Sequence, residues 1–242
     1  MASAPRPVGP RALVRARTME QIIELGNAQL VEQGATGLSV RGIARGLGMV
    51  SSAIYRYVGS RDELLTLLIS DAYADLADTV DAAVATAEAG TGGDPRARFL
   101  ALGDAMCAWA ITHPERWTLL YGTPVRDYSA PADTTNADGT RVMQVVLRIA
   151  ADAAEQGDDG ARVAPGEADL APEVIALLES HLAEFGVETT PATEFAALTV
   201  WSSLVGVISA HVFGQLGADA AAIGERILDA QIRMLAELIT RC

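Results

Sequence analysis

The 242-residue chain contains no lysine: all 18 of its Lys-plus-Arg positions are arginine. Alanine is very frequent, and the two biases together follow the codon usage of a GC-rich genome, so the choice of arginine carries no functional meaning. Cysteine is also scarce. Cys107 and Cys242 lie far apart and make no CxxC spacing, which excludes a zinc ribbon and a disulfide framework. Cys107 sits among apolar helical neighbours and reads as a small core residue. The three histidines, His113, His181 and His211, have no close ligand spacing, so neither a metal nor a cofactor is expected. No nucleophile elbow, P-loop, HExxH pair or paired carboxylates suited to acid-base work occurs, so no enzymatic activity is expected. The opening residues lack the apolar run of roughly 7 to 15 residues that a secretory signal needs, and the expected location is the cytoplasm. Phe195 to Gly217 carries no Asp, Glu, Lys or Arg and is long enough to span a bilayer. Its flanks, Glu194 and Asp219, are acidic rather than basic or aromatic anchors, so it reads instead as a helix buried between a core and a partner subunit.

What the chain does have is apolar bulk and a divided charge. Half of it is hydrophobic, enough for a substantial core. Its net charge of −13 hides an asymmetry: residues 1–61 hold eight Arg against three Glu, a net of +5, whereas residues 62–242 hold ten Arg against 28 carboxylates, a net of −18. A basic head on an acidic body fits a chain that meets phosphate at one end only.

Nearly every segment shows the helical period of about 3.6 residues, and none alternates for long, so the expected fold is all-α. Residues 1–17, with Pro5, Pro7, Pro10 and four Arg, read as a flexible basic arm. Thr18 is expected to cap a helix ending at Gln33, with Gly34 as its stop. Ser39 caps a short helix through Gly46, and Ser51 or Ser52 starts the next. Ser60 and Glu63 form a capping box at the start of a long helix reaching about Ala87, whose stripe is Leu64, Leu65, Leu68, Ala72, Leu76, Val80 and Val84. Such a helix spans roughly 40 Å and can link head to body. Beyond a turn at Gly90 to Asp94, helices are expected from Pro95 to His113, Glu115 to Tyr121, Thr140 to Gln156, Leu170 to Phe185 and Thr193 to Gln215. Asp219 is expected to cap the last helix, Gly122 to Gly139 to be an irregular loop, and the acidic Gly157 to Asp169 to be disordered. That makes nine or ten helices without repeats.

Gly34 to Leu65 holds a G-x-x-x-L-S-V opening, an I-A-x-x-L-G core ending at Gly48, the centre Ala53-Ile54-Tyr55 and the run Ser60 to Leu65. Ile43, Ala44, Leu47, Met49, Ala53 and Ile54 are small or apolar where two steeply crossed helices must touch. Gly48 permits the positive φ of a tight turn. This stretch resembles the DNA-binding head of tetracycline-repressor-like (TetR) regulators. The resemblance implies a three-helix helix-turn-helix head over residues 18–60, and a helical ligand-binding and dimerisation domain over 61–242. It also implies base or phosphate contacts for Arg41, Ser51, Ser52, Tyr55, Arg56 and Tyr57, with Arg61 near a phosphate. The family more often has His and Phe where this chain has Tyr57 and Val58.

Ala108 to Pro124, and Trp201 to Gly206 followed by His211, are similar to a TetR subgroup with a WHG-type C-terminal domain, although Val205 stands where that subgroup usually has His. Phe99, Met106, Trp109, Trp117, Tyr121, Trp201 and His211 are candidates for lining a small-molecule chamber, with ordinary core aromatics as the alternative. The loop Thr123 to Pro131 is either a gate or a connector. The last two helices are the expected homodimer surface. The sequence thus reads as a ligand-responsive transcriptional regulator, a repressor in most of the family, bound to an inverted-repeat DNA operator and released by a small molecule. A helical protein-interaction adaptor without DNA binding and a small-molecule enzyme are the alternatives.

Overall fold

A computed structural model describes residues 9–122, 125, 128–157 and 167–241, with the backbone alone for 132–134, 136, 167 and 221. Twelve α-helices and no strand occur among the described residues. The head comprises α1 (Pro10–Gln33), α2 (Val40–Gly46) and α3 (Ser51–Ile54), and α4 (Arg61–Thr91) runs from it into the body. The body continues with α5 (Pro95–Thr112), α6 (Pro114–Tyr121), α7 (Ala132–Gly139), α8 (Arg141–Gln156), α9 (Pro172–Phe185), α10 (Pro191–Val212), α11 (Ala218–Ala221) and α12 (Gly224–Ile239).

Local chemistry explains most boundaries. Ser39 Oγ accepts from the Gly42 amide at 3.1 Å and starts α2. Asp94 accepts from the Arg96 and Ala97 amides, and Pro95 fills the first position of α5, where no intrahelical N–H is needed. The capping box of α4 is offset: Ser60 Oγ takes the Glu63 amide at 3.0 Å, but Glu63 Oε2 reaches back past Ser60 to the Gly59 amide at 2.6 Å.

Several expectations need correction. The part of the basic arm from Pro10 to Arg17 is helical, because Pro10 opens α1 at its first position rather than breaking it; Thr18 lies inside that helix, its hydroxyl bonded to the Val14 carbonyl. α3 does start at Ser51, but with Val50 rather than a serine in the capping position, and it gives way after Ile54 to tighter turns through Tyr57. α4 extends four residues beyond Ala87, to Thr91. The span expected as a loop from Gly122 to Gly139 contains α7, whose residues have weak helix propensity; burial of Thr135 and contact of Gly139 with the Tyr73 ring hold it against α4. Asp219 belongs to the one-turn α11 and does not cap α12. The disorder expected at Gly157 to Asp169 falls mostly on 158–166, outside the described residues, while Glu167–Asp169 forms a single 3₁₀ turn.

Two hydrophobic cores result. The head core joins Ile22 and Leu30 of α1, Ile43 and Ala44 of α2, Ile54 and Val58, with Leu64, Leu65 and Leu68 of α4. Val58 is 1% exposed, so the smaller side chain still fills its place. The body core begins on α4 with Ala72 and Leu76, and gathers α5, α8, α10 and α12 around it.

Candidate functional site

The helix-turn-helix is built by backbone contacts that only certain residues permit. Gly48 has φ +65°, its amide bonds to the Arg45 carbonyl, and the Met49 amide bonds to the Ala44 carbonyl at 2.9 Å. A side chain at Gly48 would be strained by that dihedral angle. With Ala44 and Ile54 buried beneath, the outward surface consists of Arg41, Arg45, Ser51, Ser52, Tyr55 and Arg56, all exposed. Val50, just ahead of α3, is exposed as well. Tyr57 is half-buried: the Arg15 guanidinium lies over its ring, 5.2 Å from the centroid, and Arg15 Nη1 donates to the Arg56 carbonyl at 3.3 Å.

The six arginines Arg11, Arg15, Arg17, Arg41, Arg45 and Arg56 are exposed and form no ion pair among the described residues. Their charge is left facing solvent, as phosphate binding requires. Arg61 also has a partner within the head. Its Nη2 donates to the Ala35 carbonyl at 2.7 Å, which ties the head to the start of α4 while the side chain stays about a third exposed. The charge of residues 10–17 is visible in the sequence, but the helix that aims Arg15 at Tyr57 is not.

In the body, Phe99, Met106 and Trp117 have no exposed surface, and Trp109 is 5% exposed. They fill the core instead of lining an open chamber, because the space between them is occupied by one another and by α4, α8 and α10. Trp117, Tyr121 and Trp201 do come together, with ring centroids 4.5 Å and 6.2 Å apart in succession, and Tyr121 meets Tyr73 at 6.3 Å. Burial, with the neighbouring Tyr73, pushes the Tyr121 hydroxyl far above its ordinary pKa, so it stays neutral. His211 lies apart, its ring against Gly224. Burial, then Asp104 and Glu225, raise the Cys107 thiol to about 11, keeping it protonated and unreactive.

Polar contacts clamp α6 onto α4. Arg116 donates to Asp71 at 2.8 Å and Asp75 at 2.6 Å, lies over the Trp109 ring, and shares Asp75 with the Trp109 indole N–H. Burial raises the Asp75 carboxyl, but the Trp109 hydrogen bond and the Arg116 charge outweigh it and hold it below the usual carboxylate range. Asn27 of α1 also reaches Asp71, at 3.4 Å, so the head touches the same cluster.

Residues 22–68 match the family model described as "Bacterial regulatory proteins, tetR family", and residues 99–235 match "Tetracyclin repressor-like, C-terminal domain". The chain is 44% identical over 233 residues to the HTH-type transcriptional regulators Mb1846 of Mycobacterium bovis and Rv1816 of Mycobacterium tuberculosis, covering 96% of each chain. Among solved structures, the regulatory protein SCO4313 superposes with a TM-score of 0.69 at 31% identity, covering 94% of this chain and 98% of that one. A TetR family transcription regulator from Shewanella sp. PV-4 shares the fold at a TM-score of 0.55 and 17% identity, over 93% and 96% of the two chains. With its exposed helix-turn-helix, unpaired arginines and all-helical body, the chain belongs to the tetracycline-repressor (TetR) family of DNA-binding transcriptional regulators.

Proposed function

We propose that the protein is a cytoplasmic repressor that binds an inverted-repeat operator as a homodimer and leaves it when a small molecule binds. In this reading, residues 18–60 form the DNA-binding unit, residues 61–242 the ligand-binding and dimerisation unit, and Arg41, Ser51, Ser52, Tyr55, Arg56 and Tyr57 touch the operator. The observation that carries the reading is the exposed α2–α3 surface with Arg41, Arg45 and Arg56, joined by Arg11, Arg15 and Arg17 of α1, all without an ion pair among the described residues and set on a body of opposite charge. Arginines so placed draw the head to phosphate while the acidic body is repelled.

The homodimer reading rests on α10 and α12. α10 is apolar enough to cross a membrane, yet only 22% of its most apolar window is buried within the protomer. Thr199, Ser202 and Gly206 are exposed along α10 and Phe213 just past its end, as are Met234 and Leu238 along α12. Two such helices from each of two copies make a four-helix bundle, placing the heads on successive major grooves about 34–36 Å apart. A ligand that disfavours this spacing by about 1–3 kcal/mol lowers operator affinity roughly 5- to 150-fold.

The test is a mobility shift with the DNA upstream of the protein's own gene and a genomic pool, repeated across salt concentrations. Binding is expected to weaken by about 0.9 log unit per log unit of salt for each phosphate neutralised. The absence of a retarded species at low salt would overturn the reading.

A further inference from the structure

Every residue from Pro10 to Arg17 is exposed, and neither hydrophobic core takes a side chain from these two turns of α1. They lie ahead of residues 22–68, the stretch that the family match covers, and extend the helix by about 12 Å. An unburied run of this length holds a helix poorly by itself. Here it continues α1 and is pinned sideways, by Arg15, to the recognition segment from Ser51 to Tyr57.

Pro10, Arg11, Val14 and Arg15 line an open groove of about 310 Å³ together with Tyr57. Arg11 and Arg15 are four residues apart, so they share one side of α1, about 6 Å apart along its axis. Arg15 uses one N–H on the Arg56 carbonyl, which leaves the rest of its planar fork of donors for a ligand. The Arg11 guanidinium has no partner among the described residues. No lining residue carries a carboxylate, and residues 1–8, next along the chain, add Arg6 and no acidic residue. Two guanidinium groups beside the apolar Pro10 and Val14 match a deoxyribose–phosphate strand, with charge-assisted bonds to phosphate oxygens and apolar contact with the sugar. Because Tyr57 directly follows Arg56, the groove adjoins the outward surface of the helix-turn-helix.

We propose that the first two turns of α1 are a second DNA-binding element, in which Arg11 and Arg15 hold phosphates of one strand just outside the base pairs faced by Ser51, Ser52 and Tyr55. Each operator half-site is thereby longer than the helix-turn-helix alone requires, and the added part is held by its backbone whatever its base sequence. Arg17, about 200° round the helix from Arg15, does not line the groove and takes no part. The proposal rests on the operator-binding reading and adds to it the extent of the bound DNA.

The test uses the full-length protein and an operator taken from the mobility shift. In hydroxyl-radical footprinting, the parent is expected to protect about three more sugars at each outer edge than the double variant Arg11→Ala with Arg15→Ala, because ~12 Å spans that many base-pair steps. Footprints that end at the same place overturn the proposal. Fluorescence anisotropy then compares a duplex cut where the double variant's footprint ends with one about six base pairs longer at each end, roughly 20 Å. The parent should bind the longer duplex about tenfold more tightly and the double variant should bind both alike, while Arg17→Ala keeps the parental gain. A parent indifferent to length, or a double variant that retains the gain, overturns the second element; loss of the gain in Arg17→Ala overturns its assignment to Arg11 and Arg15. Exchanging A·T for G·C pairs in the added segments should change parental affinity less than about twofold, and a larger change overturns the backbone contact. Alanine keeps the helix propensity of α1, and none of these side chains enters a core, so circular dichroism melts of the variants should match the parent. A parent that binds neither duplex even at low salt overturns the operator-binding reading along with the proposal, whereas binding that ignores length overturns the proposal alone.

Discussion

Arg61 Nη2 and the Ala35 carbonyl oxygen, 26 positions apart in sequence, are 2.7 Å apart in the fold. This charge-assisted bond ties the first residue of α4 to the turn ahead of the helix-turn-helix. With the arginine side chain 35% exposed, its loss in Arg61→Ala should cost about 1 kcal/mol. Hydrogen exchange should show faster opening of amides from Ala35 to Val40, with those of α8 unchanged. Equal exchange throughout would show that the bond does not hold the head.

Arg15 over Tyr57 gives a second prediction. Arg15→Ala removes a cation–π contact of about 0.5–1 kcal/mol and one unpaired positive charge beside the recognition segment. Operator affinity should fall, and the slope of log affinity against log salt should become shallower by about 1 if Arg15 meets a phosphate. The double variant Arg41→Ala with Tyr55→Ala should abolish specific binding while the dimer stays intact. Unchanged binding would remove these side chains from the interface.

Gly206 offers a clean test of the homodimer. A Cβ built there meets nothing within 4 Å in the protomer, and a larger residue suits a helix interior better than glycine. Gly206→Arg should therefore leave each chain folded yet place two charges in the helix bundle. Combined with Met234→Glu, it should sediment as a monomer with parental helicity and lose operator binding. A persistent dimer would move the interface away from α10 and α12.

Glu194 makes stability depend on pH. Its side chain is fully buried, and His181 Nδ1, 3.3 Å from Oε1, is not aligned for a hydrogen bond. Burial raises the carboxyl and His181 lowers it, leaving it above its ordinary value of 4.5. A raised carboxyl favours the fold while protonated, below the unfolded value, and that contribution is lost as pH rises through the folded value. Glu194→Gln is expected to melt higher than the parent at pH 7.5, by ~2–4 °C for each kcal/mol recovered, and to converge with it near pH 4. A lower melting point at pH 7.5 would show that the ion pair outweighs the cost of burial.

Features set by a few neighbouring residues were legible in the sequence. Gly48 at the turn, Ser39 and Ser60 as caps, and the stripe from Leu64 to Val84 all lie where their local chemistry put them. What escaped depends on distant partners. α7 forms from poor helix formers because α4 supplies the surface it covers, and Pro10 opens a helix whose arginine finds its partner at Tyr57. A cleft between head and body, lined among others by Leu30, Ile69 and Glu115, was beyond reach for the same reason: these residues come from three segments that only the folded chain brings together. The aromatic residues were visible, but sequence alone does not show whether rings enclose space or fill it.

α4 passes without a break from one core to the other: Leu68 closes the head core, and Ala72, one turn later, begins the body core. That turn cannot fray without uncovering apolar side chains on both sides, so the two units are expected to melt together. All three tryptophans lie in the body, at 109, 117 and 201. If α4 couples the units in this way, their fluorescence should change in the same transition as the helicity of the head.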